Sequence, residues 1–140
     1  MSLAMTESER QAFLSGVHVG IVSIPRKLKG PLTVPIWYDY EPDGCVWMIT
    51  NESSIKGKLL KNADRISLCA QTERAPYQYV SVEGPFTISQ PEEGQLLDMA
   101  IRYLGEKQGR AYAAGGNENT DSIIVSIEPE TWYSVDYRKS

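Results

Sequence analysis

The segment Thr50-Asn51-Glu52-Ser53-Ser54-Ile55-Lys56-Gly57-Lys58 is where the chain concentrates polar chemistry. A strand-end hydroxyl leads into a helix N-terminus that carries two lysines in its first turn. Free N–H groups and the positive end of the helix dipole favour an anion there, and Lys56 and Lys58 would add charge-assisted contacts worth roughly 1.5 to 3 kcal/mol each. Lysine in a first turn opposes the dipole, so a helix built only for stability would avoid it. The segment reads as a phosphate site, against the alternative of a solvated lysine face. Large rings are plentiful for a small chain: Trp37, Tyr38, Trp47, Tyr79 and Trp132. Core packing is their usual role, but a planar ligand could stack among them, and a phosphate site beside such rings suits a flavin-like molecule.

Other chemistries find little support. His18 is the single histidine, no Gly-x-Ser-x-Gly elbow accompanies it, and a lone strand histidine is more often structural than catalytic. There is no Cys-x-x-Cys or His-x-x-x-His spacing, so no metal is expected. Walker A is absent, and Gly115-Gly116 does not stand between a strand and a helix as a dinucleotide fingerprint would. Cys45 and Cys69 fall in apolar, strand-like runs and read as buried thiols in a reducing compartment, which suggests a cytoplasmic protein.

The elements that must position these residues follow from pattern. Thr6 and Glu9 form a capping box for a short first helix that Gly16 stops. Val17 to Ile24, Leu32 to Tyr40 and Cys45 to Thr50 read as strands, with a turn over Pro25 to Pro31 and a type I turn at Glu41-Pro42-Asp43-Gly44. Ser53 or Ser54 caps a helix whose Ile55, Leu59 and Leu60 share a face; strands follow at Arg65 to Thr72 and Tyr77 to Ser89, the latter bent at Gly84-Pro85. Pro91, Glu92 and Glu93 suit the first turn of a helix with an apolar stripe of Leu96, Leu97, Ala100, Ile101 and Leu104, ended by Gly105. Gly115 to Asn119 reads as loop, within a poorly patterned stretch from Gln108 to Thr120, before strands at Ser122 to Ile127 and Trp132 to Tyr137.

Six or seven strands at hairpin spacing, without βαβ alternation, argue a mainly β antiparallel barrel with flanking helices. Leu32 to Tyr40 and Cys45 to Thr50 are apolar on both alternating faces, so something must cover the outer one. In so short a chain the expected cover is a second copy, giving a homodimer. The 140 residues make one domain, expected over residues 5–138, with Met1 to Ala4 resembling an expression scar. Fourteen basic against eighteen acidic residues, net −4, is too acidic for a general nucleic-acid binder, and no apolar run spans a membrane. The positive charge lies early, at Arg26, Lys27 and Lys29 and at Lys56, Lys58, Lys61 and Arg65. The expected partner besides a second copy is a small molecule, with no nucleic acid and no membrane.

The succession of Leu32-Thr33-Val34-Pro35-Ile36-Trp37-Tyr38, Thr50 to Lys58, Arg65-Ile66-Ser67-Leu68-Cys69, Tyr77 to Gly84, Arg102-Tyr103-Leu104-Gly105 and Pro129-Glu130-Thr131-Trp132 resembles the pyridoxamine 5′-phosphate oxidase-like split barrels. The likeness covers roughly residues 6–137 and is nearest to small actinobacterial-type members. It implies a six-stranded split β-barrel homodimer holding FMN, or the deazaflavin coenzyme F-420, in grooves at the dimer interface. It would set Thr33, Val34, Pro35 and Ile36 along the ring, Thr50, Ser54, Lys56 and Lys58 on the phosphate arm, Gln71 within reach, and Trp132 across from the other subunit. Trp37, Tyr38 and Tyr79 would form the substrate pocket. The family's Ser-Arg-Lys-x-x-Asn-Leu motif stands here as Ser54-Ile55-Lys56-Gly57-Lys58-Leu59-Leu60, with Lys58 as a replacement charge. The chain ends at Tyr137-Arg138-Lys139-Ser140 without the family's Arg-x-His substrate signature, so vitamin B6 oxidation is not expected. The implied function is a flavin- or deazaflavin-dependent oxidoreductase that passes hydride to a small organic acceptor, with the chemistry borne by the cofactor and no catalytic side chain. The alternatives are a storage or sensing protein for the same ligands and a barrel dimer without cofactor.

Overall fold

The structure, a computed structural model, describes residues 2–115 and 121–140. The capping box forms: Thr6 Oγ1 accepts from the Glu9 N–H, and the Glu9 carboxylate accepts from the Thr6 N–H at 2.8 Å, which starts α1 (Glu7–Ser15). Then come β1 (Gly20–Arg26), β2 (Lys29–Ile36), β3 (Tyr38–Tyr40), β4 (Val46–Asn51), α2 (Ile55–Leu60), β5 (Arg65–Gln71) and β6 (Gln78–Ser89). The helices α3 (Gln95–Leu104) and α4 (Glu106–Gly115) precede β7 (Ser122–Ile127) and β8 (Thr131–Asp136).

The strands pair antiparallel in the order β2-β1-β5-β6-β7-β4-β3, with β8 added on β6. Only Trp37 separates β2 from β3, so both ends of that path belong to one bent strand and the sheet curls on itself. Counted with that strand taken once, the path has six strands: the split barrel expected from the sequence. The curl needs β6 to change partners. One edge of β6 meets β8 through Gln78 to Glu83 and β7 through Phe86 to Ser89. At the changeover the Glu128 N–H donates to the Pro85 carbonyl and the Glu130 N–H to the Glu83 carbonyl. A Cβ on Gly84 would stand 1.8 Å from the Glu128 oxygen, so only glycine fits. Inward-facing Val22, Ile24, Val46, Met48, Ile66, Leu68, Val80, Val82, Val125 and Ile127 fill the interior, with Leu14 of α1 and Tyr38 closing it.

Several elements differ from the sequence reading. The Glu41–Gly44 turn has Asp43 at φ 68°, the third-position geometry of a type II turn rather than type I. Cys45 is exposed just outside β4, not buried, while Cys69 is half-buried, its thiol pushed up by desolvation. Ile55 faces solvent and only Leu59 and Leu60 of its proposed face pack inward. Helix α3 starts at Gln95 behind Gly94, leaving Pro91 to Glu93 outside the helix. Helix α4 occupies Glu106–Gly115, where a loop from Gln108 was expected. The rest of the loop assigned to Gly115 to Asn119 lies outside the described residues, as does Thr120. Ile49 on the outward face of β4 lines one cleft together with Leu96, Ala111 and Tyr112 of the α3–α4 hairpin. No helix among the described residues is long and apolar enough to cross a membrane.

Candidate functional site

The loop between β4 and α2 is built by local hydrogen bonds. Ser54 caps α2: its Oγ accepts from the Gly57 N–H at 3.1 Å and donates to the Asn51 carbonyl at 2.6 Å. Thr50 Oγ1 stands 3.4 Å from Ser54 Oγ, joining strand end and cap. The loop folds so closely over the first turn of α2 that a Cβ on Gly57 would lie 2.4 Å from the carbonyl oxygens of both Asn51 and Glu52. From the residue just before β7, Asp121 holds the loop in place. Its backbone carbonyl accepts from the Glu52 N–H, and its carboxylate accepts from the Ser53 N–H at 3.0 Å and from the Ser53 hydroxyl. These bonds hold the Asp121 carboxyl below its ordinary range.

Above this loop lies a cleft of about 640 Å³. Thr50, Asn51, Ser54 and Lys56 form its polar end, and Ile36, Trp37, Ile49, Leu96 and Tyr112 its apolar walls. Lys56 is the one charged side chain among the described lining residues, and it has no ion-pair partner among the described residues. Trp37 stacks on Tyr103 at 5.0 Å between ring centres and 6° between planes, and meets Tyr112 at 5.4 Å with a 51° tilt. The C-terminal turn of α3 anchors this wall. The Tyr103 hydroxyl donates to the backbone carbonyls of His18 or Tyr38 and accepts from the Tyr38 N–H, while Arg102 binds the carbonyls of Ser15, Gly16 and Tyr38 and pairs with Asp39 at 3.2 Å.

The structure thus brings together Ile36, Trp37, Thr50, Ser54 and Lys56 from the sequence-predicted set. Lys58, two residues on, is exposed and does not line this cleft. Val34 packs partly on the core and Thr33 is exposed on the opposite alternation of β2. Pro35 and Gln71 line a second cleft of about 780 Å³ with Val17, His18 and Arg138. Trp132 lies elsewhere, against Tyr40 and beneath the Arg10 guanidinium at 4.6 Å. Tyr38 is a correction: its ring is fully buried, its hydroxyl donates to the Leu14 carbonyl at 2.7 Å, and burial pushes its pKa up, so it offers no face to a substrate. Tyr79 does not line the cleft; its ring meets that of Tyr133 at 5.9 Å, and the neighbouring Tyr133 pushes its pKa up. His18 lies just before β1 rather than in a strand, stacked on Phe13 at 4.4 Å with Nε2 3.1 Å from the Phe13 carbonyl. Asp121, Leu96 and Tyr112 are the site residues that the sequence did not disclose. Asp121 reaches the loop only through the β4–β7 pairing of Asn51 with Ser122, and Tyr112 sits on a helix without a clear apolar stripe.

A curled six-stranded path with a cation-ended, aromatic-walled cleft outside its strands defines the split-barrel class of architectures. The chain belongs to the pyridoxamine 5′-phosphate oxidase family, whose sequence profile matches residues 6–136. No curated protein matches by sequence. Among solved structures, the conserved hypothetical protein Rv2991 from Mycobacterium tuberculosis is 23% identical, with a TM-score of 0.79 over 99% of this chain and 89% of its own. An F420 reductase superposes with a TM-score of 0.70 at 16% identity, covering 88% of this chain and 94% of its own. A FAD-binding protein from Mesorhizobium loti gives 0.67 at 15% identity, over 94% and 93%. At these identities the likeness establishes the shared split-barrel fold.

Proposed function

We propose that this protein binds a flavin-type cofactor, FMN or coenzyme F-420, with its phosphate end at Thr50, Ser54 and Lys56, and acts as an oxidoreductase on a small unsaturated or quinone-like compound. The observation that carries this reading is one cleft that joins Lys56, which has no ion-pair partner among the described residues, and the Thr50 and Ser54 hydroxyls to apolar walls. Its volume, about 640 Å³, falls in the range of about 300 to 1,000 Å³ typical of small-molecule sites. Family membership and the named ligands of two similar folds support the same class of cofactor.

When bound, such a cofactor supplies hydride chemistry from its own ring. The chain's residues do the rest. Lys56 neutralises the anionic arm, the Ser54 cap and Asp121 hold the loop so that little ordering is left for binding, and Ile36, Ile49 and Leu96 keep water from the ring end. Trp37, braced by Tyr103, fixes the plane against which a flat molecule lies.

The reading includes a homodimer. Pro35, Gln71 and Trp132 stand outside the 640 Å³ cleft in this chain, and a second copy is what would carry them to it. Val17, Val19 and Tyr133 are each more than half exposed, apolar surface available for that packing. Both cysteines are free thiols, which supports a cytoplasmic setting. Titration of the purified protein with FMN and with F-420, repeated on Lys56→Ala, tests the reading; equal affinity in the two proteins would remove Lys56 from the site.

A further inference from the structure

The tip of the β1–β2 hairpin is built against local preference. Arg26 pairs with Lys29, so Lys27 and Leu28 are the two turn residues. Leu28 has φ 61°, the left-handed region that glycine enters freely and leucine does not, and its side chain is 105% exposed. Backbone conformation and solvation both disfavour leucine here. Gly30 stands two residues further on, at a position with no positive φ and nothing within 4 Å of where a Cβ would be. Single exposed apolar residues are ordinary on protein surfaces. Leu28 is set apart because the turn itself calls for a different residue.

Its surroundings give the tip a second property. Lys27 and Lys29 are exposed and have no ion-pair partner among the described residues. Arg26 Nε donates to the Gly30 carbonyl at 2.8 Å, closing the base of the turn. Pro25 and Pro31 flank it, limiting the backbone on both sides. An apolar side chain is held outward at the apex of a stiff turn, with three cations around it.

We propose that this tip is a surface anchor for a bilayer carrying anionic lipid headgroups: Leu28 enters the interfacial layer while Lys27, Lys29 and Arg26 lie at headgroup level. Charge complementarity and the apolar apex together select this occupant. Nucleic acid would satisfy the cations but give Leu28 nothing to bury in, and the net charge of −4 confines attraction for any polyanion to local patches such as this. The expectation of no membrane partner rested on the lack of a spanning segment, and surface contact needs none. The anchor is independent of the cofactor reading.

The test is co-sedimentation of the protein with vesicles of mixed phosphatidylserine and phosphatidylcholine, compared with phosphatidylcholine alone and with a short DNA duplex. Binding is expected to the anionic vesicles only, and to weaken as salt is raised. Leu28→Gly should cut vesicle partitioning roughly tenfold or more, the effect of withdrawing one buried leucine, while raising Tm because the left-handed turn is relieved. These opposite movements separate lost anchoring from lost folding. A double Lys27→Gln, Lys29→Gln variant should remove the salt-sensitive part. Absence of binding to anionic vesicles, binding unchanged in Leu28→Gly, or capture of DNA in place of vesicles would each overturn the proposal.

Discussion

Lys56 and Lys58 look equivalent in sequence, two cations in one helical turn, yet only Lys56 lines the cleft. Lys56→Ala is therefore expected to weaken binding of a phosphate-bearing cofactor roughly ten- to hundredfold, the size of one charge-assisted contact, and Lys58→Ala to change it little. Tryptophan fluorescence titration of the two variants separates them. The Ser54 cap and Lys56 were readable because they depend on spacing along one segment. Asp121 was not, because its role comes from a strand partner far along the chain, and Tyr38 misled because a strand tyrosine gives no hint of which face it takes. His18 yields a pH prediction. Burial pushes its imidazole below the ordinary 6.5, so between the two values the unfolded chain holds the proton more often than the native one. This contribution to stability is present above about pH 6.5 and is lost as pH falls through that window toward the lowered native value. Thermal unfolding followed against pH should show the loss, and His18→Gln should flatten that part of the profile.

Helices and strands with strong signals came through from sequence: the capping box of α1, the strand Arg65 to Thr72 as β5, the Gly105 stop of α3, while the alternating run Val17 to Ile24 enters β1 only at Gly20. Those that failed have identifiable causes. Helix α4 is rich in helix formers but carries glycines and no clean apolar face, and it is helical where it packs on α3. The break at Trp37 is invisible to alternation, because a bend in an otherwise continuous apolar run changes no residue type. Gly57 and Gly84 carry contacts that no pattern announces. Gly57→Ala would press a Cβ onto two carbonyl oxygens at 2.4 Å, with a loss of stability of the order of 1–3 kcal/mol for overpacking and weaker ligand binding as the loop shifts. Gly84→Ala meets a closer obstruction, at 1.8 Å from a backbone oxygen that cannot rotate away. Its midpoint in urea should fall further than that of Gly57→Ala, and its ligand affinity, measured on the folded fraction, should be less affected.

The molecule as a whole is a barrel whose cleft lies outside the strands, between the loop after β4 and the α3–α4 hairpin. The mainly β class and a barrel of six or seven strands were readable from hairpin spacing, the six-stranded split barrel itself came from the family resemblance, and the cover over β4 is expected from a second copy. A dimer remains the proposed way to bring Pro35, Gln71 and Trp132 to the cofactor, and light scattering of the purified protein is expected to give twice the chain mass. The most direct test of the cofactor site is a parallel titration of the purified protein with FMN and F-420, following tryptophan quenching and Tm. Trp37 borders the cleft, so an occupant should quench it, and a ligand selective for the native state should raise Tm. The expected result is saturable quenching and a rise in Tm with one of the two, both diminished in Lys56→Ala. Binding of neither ligand, or binding that ignores Lys56, would contradict a cofactor held at this cleft.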